Sequence, residues 1–410
     1  MELRSRTRPT ALERSSSHQP LRISFASIHD PADVTAWSGT EHFLLRTLKG
    51  QGHELSVLRN IRKRHRLVGK AIRNLSNVLT GGDHYTVERT LVTANRIGDA
   101  VMTHLERTPS DLLFSPSSIP LSMVVTDRPM VFYTDATFKG LLALYPDLAH
   151  YHPDRIAEAE YLERSAIQNA RRVIYTSDWA ARSAVEDYGA DPDKVHVVPF
   201  GSNLPYQRGR TTILRNIQGR SRERCELLLV GVDWIRKGGD LALEVLQDLR
   251  QLGIQARLTV VGCSPPPGVR HPDLEVHPFL NKQDRRDLAR LLSLYERSHF
   301  LIVPSLAECF GIVYAEASSM GVPSLARDSG GVSNAVLDGV NGRLFPYHAT
   351  ADQYAAHIAE HFSDPDLYER SALAAFDHHD QQLSWDAVGH RIQDILLAAT
   401  RNGHEVVTKR

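Results

Sequence analysis

The chain lacks a membrane-spanning run, a cysteine framework and an excess of charge of either sign. No apolar run approaches the roughly 18–20 residues that a helix needs to cross a bilayer. The longest, such as Glu226–Val232 and Phe300–Pro304, are strand-sized. There are three cysteines in 410 residues (Cys225, Cys263 and Cys309), odd in number and far apart. That excludes a disulfide framework and fits a reducing compartment. Their spacing matches no zinc site. Charge of one sign is also missing, because 48 Lys and Arg balance 48 Asp and Glu. A neutral chain of this kind is neither a nucleic-acid coat nor an acidic disordered protein. Residues 1–19 are rich in Arg and Ser without an apolar stretch, and read as a disordered tail rather than a secretory signal. The expectation is a cytoplasmic enzyme or binding protein.

Two nucleotide fingerprints are absent as well. No G-x-G-x-x-G follows the first strand of either half, and no G-x-x-x-x-G-K-[ST] occurs. Both absences weaken dehydrogenase and NTPase readings.

What the chain does have is a repeated alternation of β-branched runs and helical patterns, the signature of parallel sheets built from βαβ units. It happens twice. The first series predicts strands at Leu21–Ile28, Glu54–Leu58, Leu112–Ser115, Met130–Thr134, Arg172–Thr176 and Val195–Val198. The second predicts Cys225–Val232, Ala256–Val261, Leu274–His277, His299–Pro304, Pro323–Ala326 and Gly342–Phe345. Helical patterns lie between the latter at Gly239–Leu252, Lys282–Glu296, Phe310–Met320 and Ala351–Phe362. The fold class is therefore α/β, with two doubly wound domains, 20–200 and 201–383. Phe200–Ser221 has little periodicity and reads as the linker. In such sheets ligands bind beyond the carboxyl ends of the strands.

The strongest motif begins where a strand ends. In Ser305-Leu-Ala-Glu308-Cys-Phe310-Gly311-Ile312-Val313-Tyr-Ala-Glu316, one carboxylate precedes a helix start and another lies two turns into it. The free amides of Phe310, Gly311, Ile312 and Val313 form a cradle for an anion. A sugar nucleotide, with hydroxyls at both ends and phosphate between, would satisfy all three features. The second motif is Gly231-Val-Asp-Trp-Ile-Arg236-Lys237-Gly238-Gly239, where cations beside glycines at a helix start suit a diphosphate.

The first motif resembles the E-x7-E signature of the retaining GT-B glycosyltransferases, specifically glycosyltransferase family 4. The second resembles that family's phosphate-binding segment. The resemblance implies a GT-B fold, two facing Rossmann-like domains with a cleft between them, and a last helix (384–410) that crosses back to the first domain. It implies transfer of a sugar from a nucleotide-sugar to a hydroxyl acceptor (sugar, glycolipid or lipid-linked glycan), with retention of configuration. Carried over, Glu308 contacts the donor sugar, Glu316 the ribose, and Lys237 and Arg236 the diphosphate. Leu280 follows the strand where the family places nucleobase contacts. Gly39, in Ala36-Trp37-Ser38-Gly39-Thr40, stands where the family has a glycine-rich loop over the phosphates.

Several departures accompany the match. Val232 occupies the position where many members carry an Arg. The third loop has one glycine, so an ordinary turn with Ser38 as helix N-cap is equally open. Many members have a His near the reacting centre where this chain has Asp135, which either binds the acceptor or caps the next helix. Trp37 and Ser177 are expected on the acceptor side. No metal or cofactor is expected, since no carboxylate cluster is placed to hold one against the phosphates.

Other features are weighed against the cleft. Cys309 reads as a buried thiol, and His378-His379 as a solvated segment. Arg59–Arg73 holds seven Lys and Arg without an acid. It reads either as a solvated helix or as a peripheral contact with anionic lipid. Two rival functions stay open: a catalytically silent nucleotide-sugar-binding protein, and another GT-B enzyme such as a nucleotide-sugar epimerase.

Overall fold

The computed structural model describes residues 19–59, 61, 89–145 and 152–401. Most of the basic segment 59–73 lies outside the described residues. All twelve expected strands form, in two sheets of six, and every strand pairing is parallel.

The first sheet contains β1 (Arg22–Ala26), β2 (Glu54–Leu58), β3 (Leu112–Ser115), β4 (Met130–Thr134), β5 (Arg172–Tyr175) and β6 (Val195–Val197), in the order β2-β1-β3-β4-β5-β6. Its described helices are α1 (Thr40–Gly50), α2 (Leu91–Arg107), α3 (Phe138–Leu144), α4 (Pro153–Asn169) and α5 (Asp178–Glu186). The second sheet contains β7 (Cys225–Val230), β8 (Ala256–Val261), β9 (Leu274–His277), β10 (Phe300–Val303), β11 (Ser324–Arg327) and β12 (Gly342–Phe345), in the order β12-β11-β10-β7-β8-β9. Its helices are α6 (Arg210–Gln218), α7 (Gly239–Gln251), α8 (Arg285–Arg297), α9 (Ile312–Ser319), α10 (Ala351–Ser363) and α11 (Pro365–His378). Strands β3, β4 and β10 are buried at every residue but one, as parallel strands covered on both faces must be. That explains why they read as continuous apolar runs.

Two expectations need correcting. The linker contains α6, because Ile213 and Ile217 fall one turn apart and are both buried. Its polar neighbours hide that short stripe from a periodicity search. His379 is only 3 % exposed, and its ring Nε2 bonds the Ser202 hydroxyl at 2.8 Å. The segment is thus packed against the linker and not solvated. Burial lowers the His379 pKa to about 3, so the ring is neutral.

The last helix, α12 (Trp385–Arg401), packs on α1 of the first domain. Gly389 permits this crossing. A Cβ there would sit 2.6 Å from Thr47 Cγ2. The domains also touch directly. Asn334 and Asp178 exchange two hydrogen bonds, at 3.0 and 2.9 Å. The Tyr145 hydroxyl approaches Cys309 Sγ at 3.6 Å, and the Phe200 and Phe310 rings meet edge to face at 5.6 Å.

Candidate active site

In the second sheet the strand order reverses between β7 and β10. That is where an open parallel sheet forms a crevice at its carboxyl edge. The loops leaving β7 and β10 carry the two strongest motifs, so the topology brings them together. Lys237 Nζ forms an ion pair with the Glu308 carboxylate, and Arg236 Nη1 approaches the same oxygen at 3.5 Å. Arg236 also donates to the carbonyl of Ala307 at 3.1 Å and accepts from the amide of Leu306 at 2.8 Å. Val232, at the position where the family often has an Arg, is 65 % exposed. Arg236 reaches the carboxylate in its place.

The helices that start here lack the side-chain cap that opens six of the others. α2, α3, α4, α5, α8 and α11 each begin with a side chain that accepts a hydrogen bond from the first turn. α7 and α9 begin instead with Gly238 (φ 74°) and Gly311 (φ 87°), in the left-handed region and with no side-chain cap. The Gly239 amide that opens α7 donates to the Trp234 carbonyl at 2.8 Å, so the open amides lie at the start of α9, where the helix dipole favours an anion. Gly238 has a steric reason too, since a Cβ would lie 2.4 Å from the carbonyl oxygen of Pro304.

Phe310 contributes to this cradle through its amide only, because its ring is buried in the core. Leu280 is likewise a core side chain, and Phe279 beside it is the exposed one. Glu316 is 2 % exposed. Its carboxylate accepts from the Tyr295 hydroxyl at 3.2 Å and pairs with Lys282. Sequence reasoning missed Lys282 and Tyr295. Lys282 lies in the loop after the β9 strand, far from the motif it completes, and Tyr295 lies on α8.

The first domain supplies the opposite wall. Trp37 (φ 45°), Ser38 (φ 56°) and Gly39 (φ 86°) run left-handed in succession. The family's loop uses glycines for this. Here two ordinary residues are held in a conformation that costs about 1–2 kcal/mol each. What holds them is visible. The Asn203 amide donates to the Ser38 carbonyl at 3.0 Å and to Thr40 Oγ1 at 3.1 Å. Its oxygen accepts from the Trp385 indole at 3.0 Å. The Trp37 ring packs edge to face on Phe200 at 5.2 Å. Gly39, not Ser38, is the N-cap of α1, again with no side-chain cap.

Asp135 does not cap the next helix. Thr137 does, accepting from the Gly140 amide at 3.0 Å. Asp135 is thus free for another role. Burial raises its pKa from 3.8 to about 6, although part of the residue remains solvent-accessible. Hydrogen bonds from its own backbone and from the Trp37 side chain oppose the rise, and the Glu308 charge adds to it. Ser177 does not reach the open cleft. It is fully buried, and its hydroxyl accepts from the Ala180 amide at 3.3 Å as the cap of α5. Cys309 is buried, as expected, and burial raises its thiol pKa well above the usual value.

Gly330 and Gly331 were not singled out by sequence. Gly331 is wedged between the carbonyl of Cys309 and the side chain of Ser177, where a Cβ would lie 2.0 and 2.6 Å from them. It fixes the loop that presents Glu308 against the first domain.

Comparisons with known proteins agree with this geometry. Residues 42–204 match the model for Glycosyltransferase Family 4, and residues 211–377 match the model for Glycosyl transferases group 1. A D-inositol 3-phosphate glycosyltransferase of Nocardia farcinica is 33% identical over 227 residues, covering 53% of this chain and 50% of that protein. The chain thus spans about half the length of this curated relative. Among solved structures, sucrose-phosphate synthase from Thermosynechococcus elongatus superposes with a TM-score of 0.65 at 17% identity, covering 94% of this chain and 100% of that one. HepE from Anabaena, in complex with UDP-glucose, gives 0.60 at 17% identity, covering 92% and 100%. With both halves matched in order and the two facing sheets of the GT-B fold in place, the chain belongs to the group 1, family 4 glycosyltransferases.

Proposed function

We propose that this chain transfers a hexosyl group from a nucleotide-diphosphate-sugar to a hydroxyl acceptor, with retention of anomeric configuration. The pathway class would be glycan, glycolipid or polysaccharide synthesis. The observation that carries the reading is the convergence of Lys237 and Arg236 on Glu308, beside two glycine-capped helix starts. Cations and uncapped amides there can stabilise a leaving diphosphate, while Glu308 orients sugar hydroxyls. The names of the relatives, an inositol phosphate glycosyltransferase and a UDP-glucose complex, support the same substrate class.

In this reading the anomeric C–O bond to the diphosphate breaks. The acceptor oxygen bonds to the same carbon on the same face, and the acceptor proton passes to the departing phosphate oxygen. Lys237, Arg236 and the amides of Gly311, Ile312 and Val313 offset the charge, so no metal is assigned to the step. Glu316 takes the ribose hydroxyls once Lys282 yields its oxygen. Asp135 accepts a hydrogen bond from the acceptor hydroxyl, with Trp37 beside it. A diphosphate would compete with Glu308 for Lys237, and so release the carboxylate towards the sugar.

The test is product analysis with a nucleotide-sugar and a panel of hydroxyl acceptors, including inositol phosphates and lipid-linked sugars. An anomeric proton coupling that matches the donor's configuration is expected. An inverted product would reject retention, and donor turnover without an acceptor would favour an epimerase. Peripheral membrane contact through residues 59–73 belongs to the same proposal. Co-sedimentation with anionic vesicles at physiological salt is expected, and none would remove that part.

A further inference from the structure

A second cluster of reactive side chains lies at the far end of the second sheet. Helix α10 carries His357-Ile-Ala-Glu360-His361. The two histidines are four residues apart, so they stack on one face of the helix. Their ring centroids are 4.1 Å apart. One ligand atom from each of His357, Glu360 and His361 lies within 4.8 Å of the other two, and no other such group occurs among the described residues. The cluster lines a cavity of about 640 Å³. Phe300, Pro323 and Gly342 also line it, at the amino-terminal ends of β10, β11 and β12. The site is thus at the opposite edge of the sheet from the cleft.

The chemistry of the three groups suits a cation. The His361 Nδ1 contacts the carbonyl of His357 at 3.0 Å, so it must donate, which leaves Nε2 with its lone pair. The His357 ring makes no hydrogen bond among the described residues. It packs edge to face on Phe345. Glu360 is exposed and has no cationic partner among the described residues. Arg343, the nearby positive charge on the cavity wall, is paired with Asp338 at 3.0 Å. A pair of imidazoles one helical turn apart, with an adjacent carboxylate, is a donor set of the zinc type. Tetrahedral bonds of about 2.0–2.2 Å place donors roughly 3.4 Å apart, which a rotamer change of the exposed Glu360 can reach.

We propose that His357, Glu360 and His361 form a binding site for a divalent ion of the zinc class, with its fourth position open to the cavity. The ion would link α10 at two successive turns. It would take no part in sugar transfer.

The experiment is a calorimetric titration of the tag-free full chain with zinc chloride, set against the His357→Gln/His361→Gln double variant. The chain holds 20 histidines, so the difference between the two proteins is the readout. The wild type is expected to bind one more equivalent than the double variant. Equal stoichiometry would overturn the site. Should the double variant fold poorly, Glu360→Ala changes an exposed position alone. Its zinc affinity is expected to fall at least tenfold, with the cobalt-substituted absorption spectrum altered. Unchanged affinity and an unchanged spectrum would overturn the proposal.

Discussion

Lys237 Nζ lies on the carboxylate of Glu308, and the two meet where the strand order of the second sheet reverses. Neither residue is near the other in sequence. The pairing follows from β7 and β10 being neighbours in the sheet, so that the loops leaving them face one another. The lysine and the carboxylate to which we assign the leaving diphosphate and the sugar are thereby held together by the fold itself.

Removing the cation takes from Glu308 its ion-pair partner and, in the proposed reaction, takes a counter-charge from the diphosphate. Lys237→Ala is expected to lower kcat by roughly 100- to 1,000-fold, as loss of a positioned charge-stabilising group does. Glu308→Gln should do the same while keeping the melting temperature within a few degrees. Wild-type turnover in either variant, measured by nucleoside diphosphate release, would contradict these roles.

Glu316 should act on binding more than on chemistry. Its carboxylate is held by Tyr295 and Lys282, two partners that fix its direction. Glu316→Ala is expected to weaken nucleotide affinity by about 10- to 100-fold, the loss of one or two hydrogen bonds to a charged group. Calorimetry with the nucleoside diphosphate measures it, and an unchanged Kd would remove the ribose role.

Asp135 gives a pH signature. Its pKa rises from 3.8 to about 6 on folding, mainly through burial. The folded chain holds this proton more tightly, so the associated stability is full below pH 4 and is lost as pH rises through about 6. Asp135→Asn should remove that loss and stabilise the protein by roughly 1–3 kcal/mol at neutral pH, at about 1.4 kcal/mol per pKa unit. In the proposed reaction the ionised form is the one that accepts a hydrogen bond from the acceptor hydroxyl and orients it. Transfer by the wild type should therefore fall as pH drops below about 6, and the variant should lose most of its rate. A variant with full activity and an unchanged pH profile would reject the assignment.

Gly331→Ala tests how the second domain presents Glu308. The new Cβ would meet the Cys309 carbonyl at 2.0 Å, so the loop must shift. A destabilisation of about 1–3 kcal/mol is expected, with a larger loss in transfer than in stability. Denaturant unfolding and turnover, measured together, would show whether the loop is as tightly wedged as the contacts imply.

Much of this site could be read along the chain because its residues lie at strand ends. β10 reads as a short apolar run, and Glu308, Gly311 and Glu316 follow it at fixed spacing. The same holds for β7 with Arg236 and Lys237. What could not be read depends on tertiary contact. Lys282 reaches Glu316 from another loop, and Asn203 holds the turn at Ser38 from the linker. Ser177 has the composition of a cleft residue, but its hydroxyl is used as a helix cap. α6 was hidden because two buried isoleucines among polar residues make too weak a stripe. His379 read as solvated because nothing local marks the Ser202 hydroxyl that buries it.

The most direct test of the cleft is a thermal-shift panel of nucleotide-sugars, free nucleotides, NAD and ATP, because a ligand that binds only the native state raises its melting temperature. One nucleotide-sugar and its nucleoside diphosphate should each raise it, and both shifts should disappear in Lys237→Ala. A shift with NAD or ATP and none with any sugar nucleotide would contradict the assignment of this cleft.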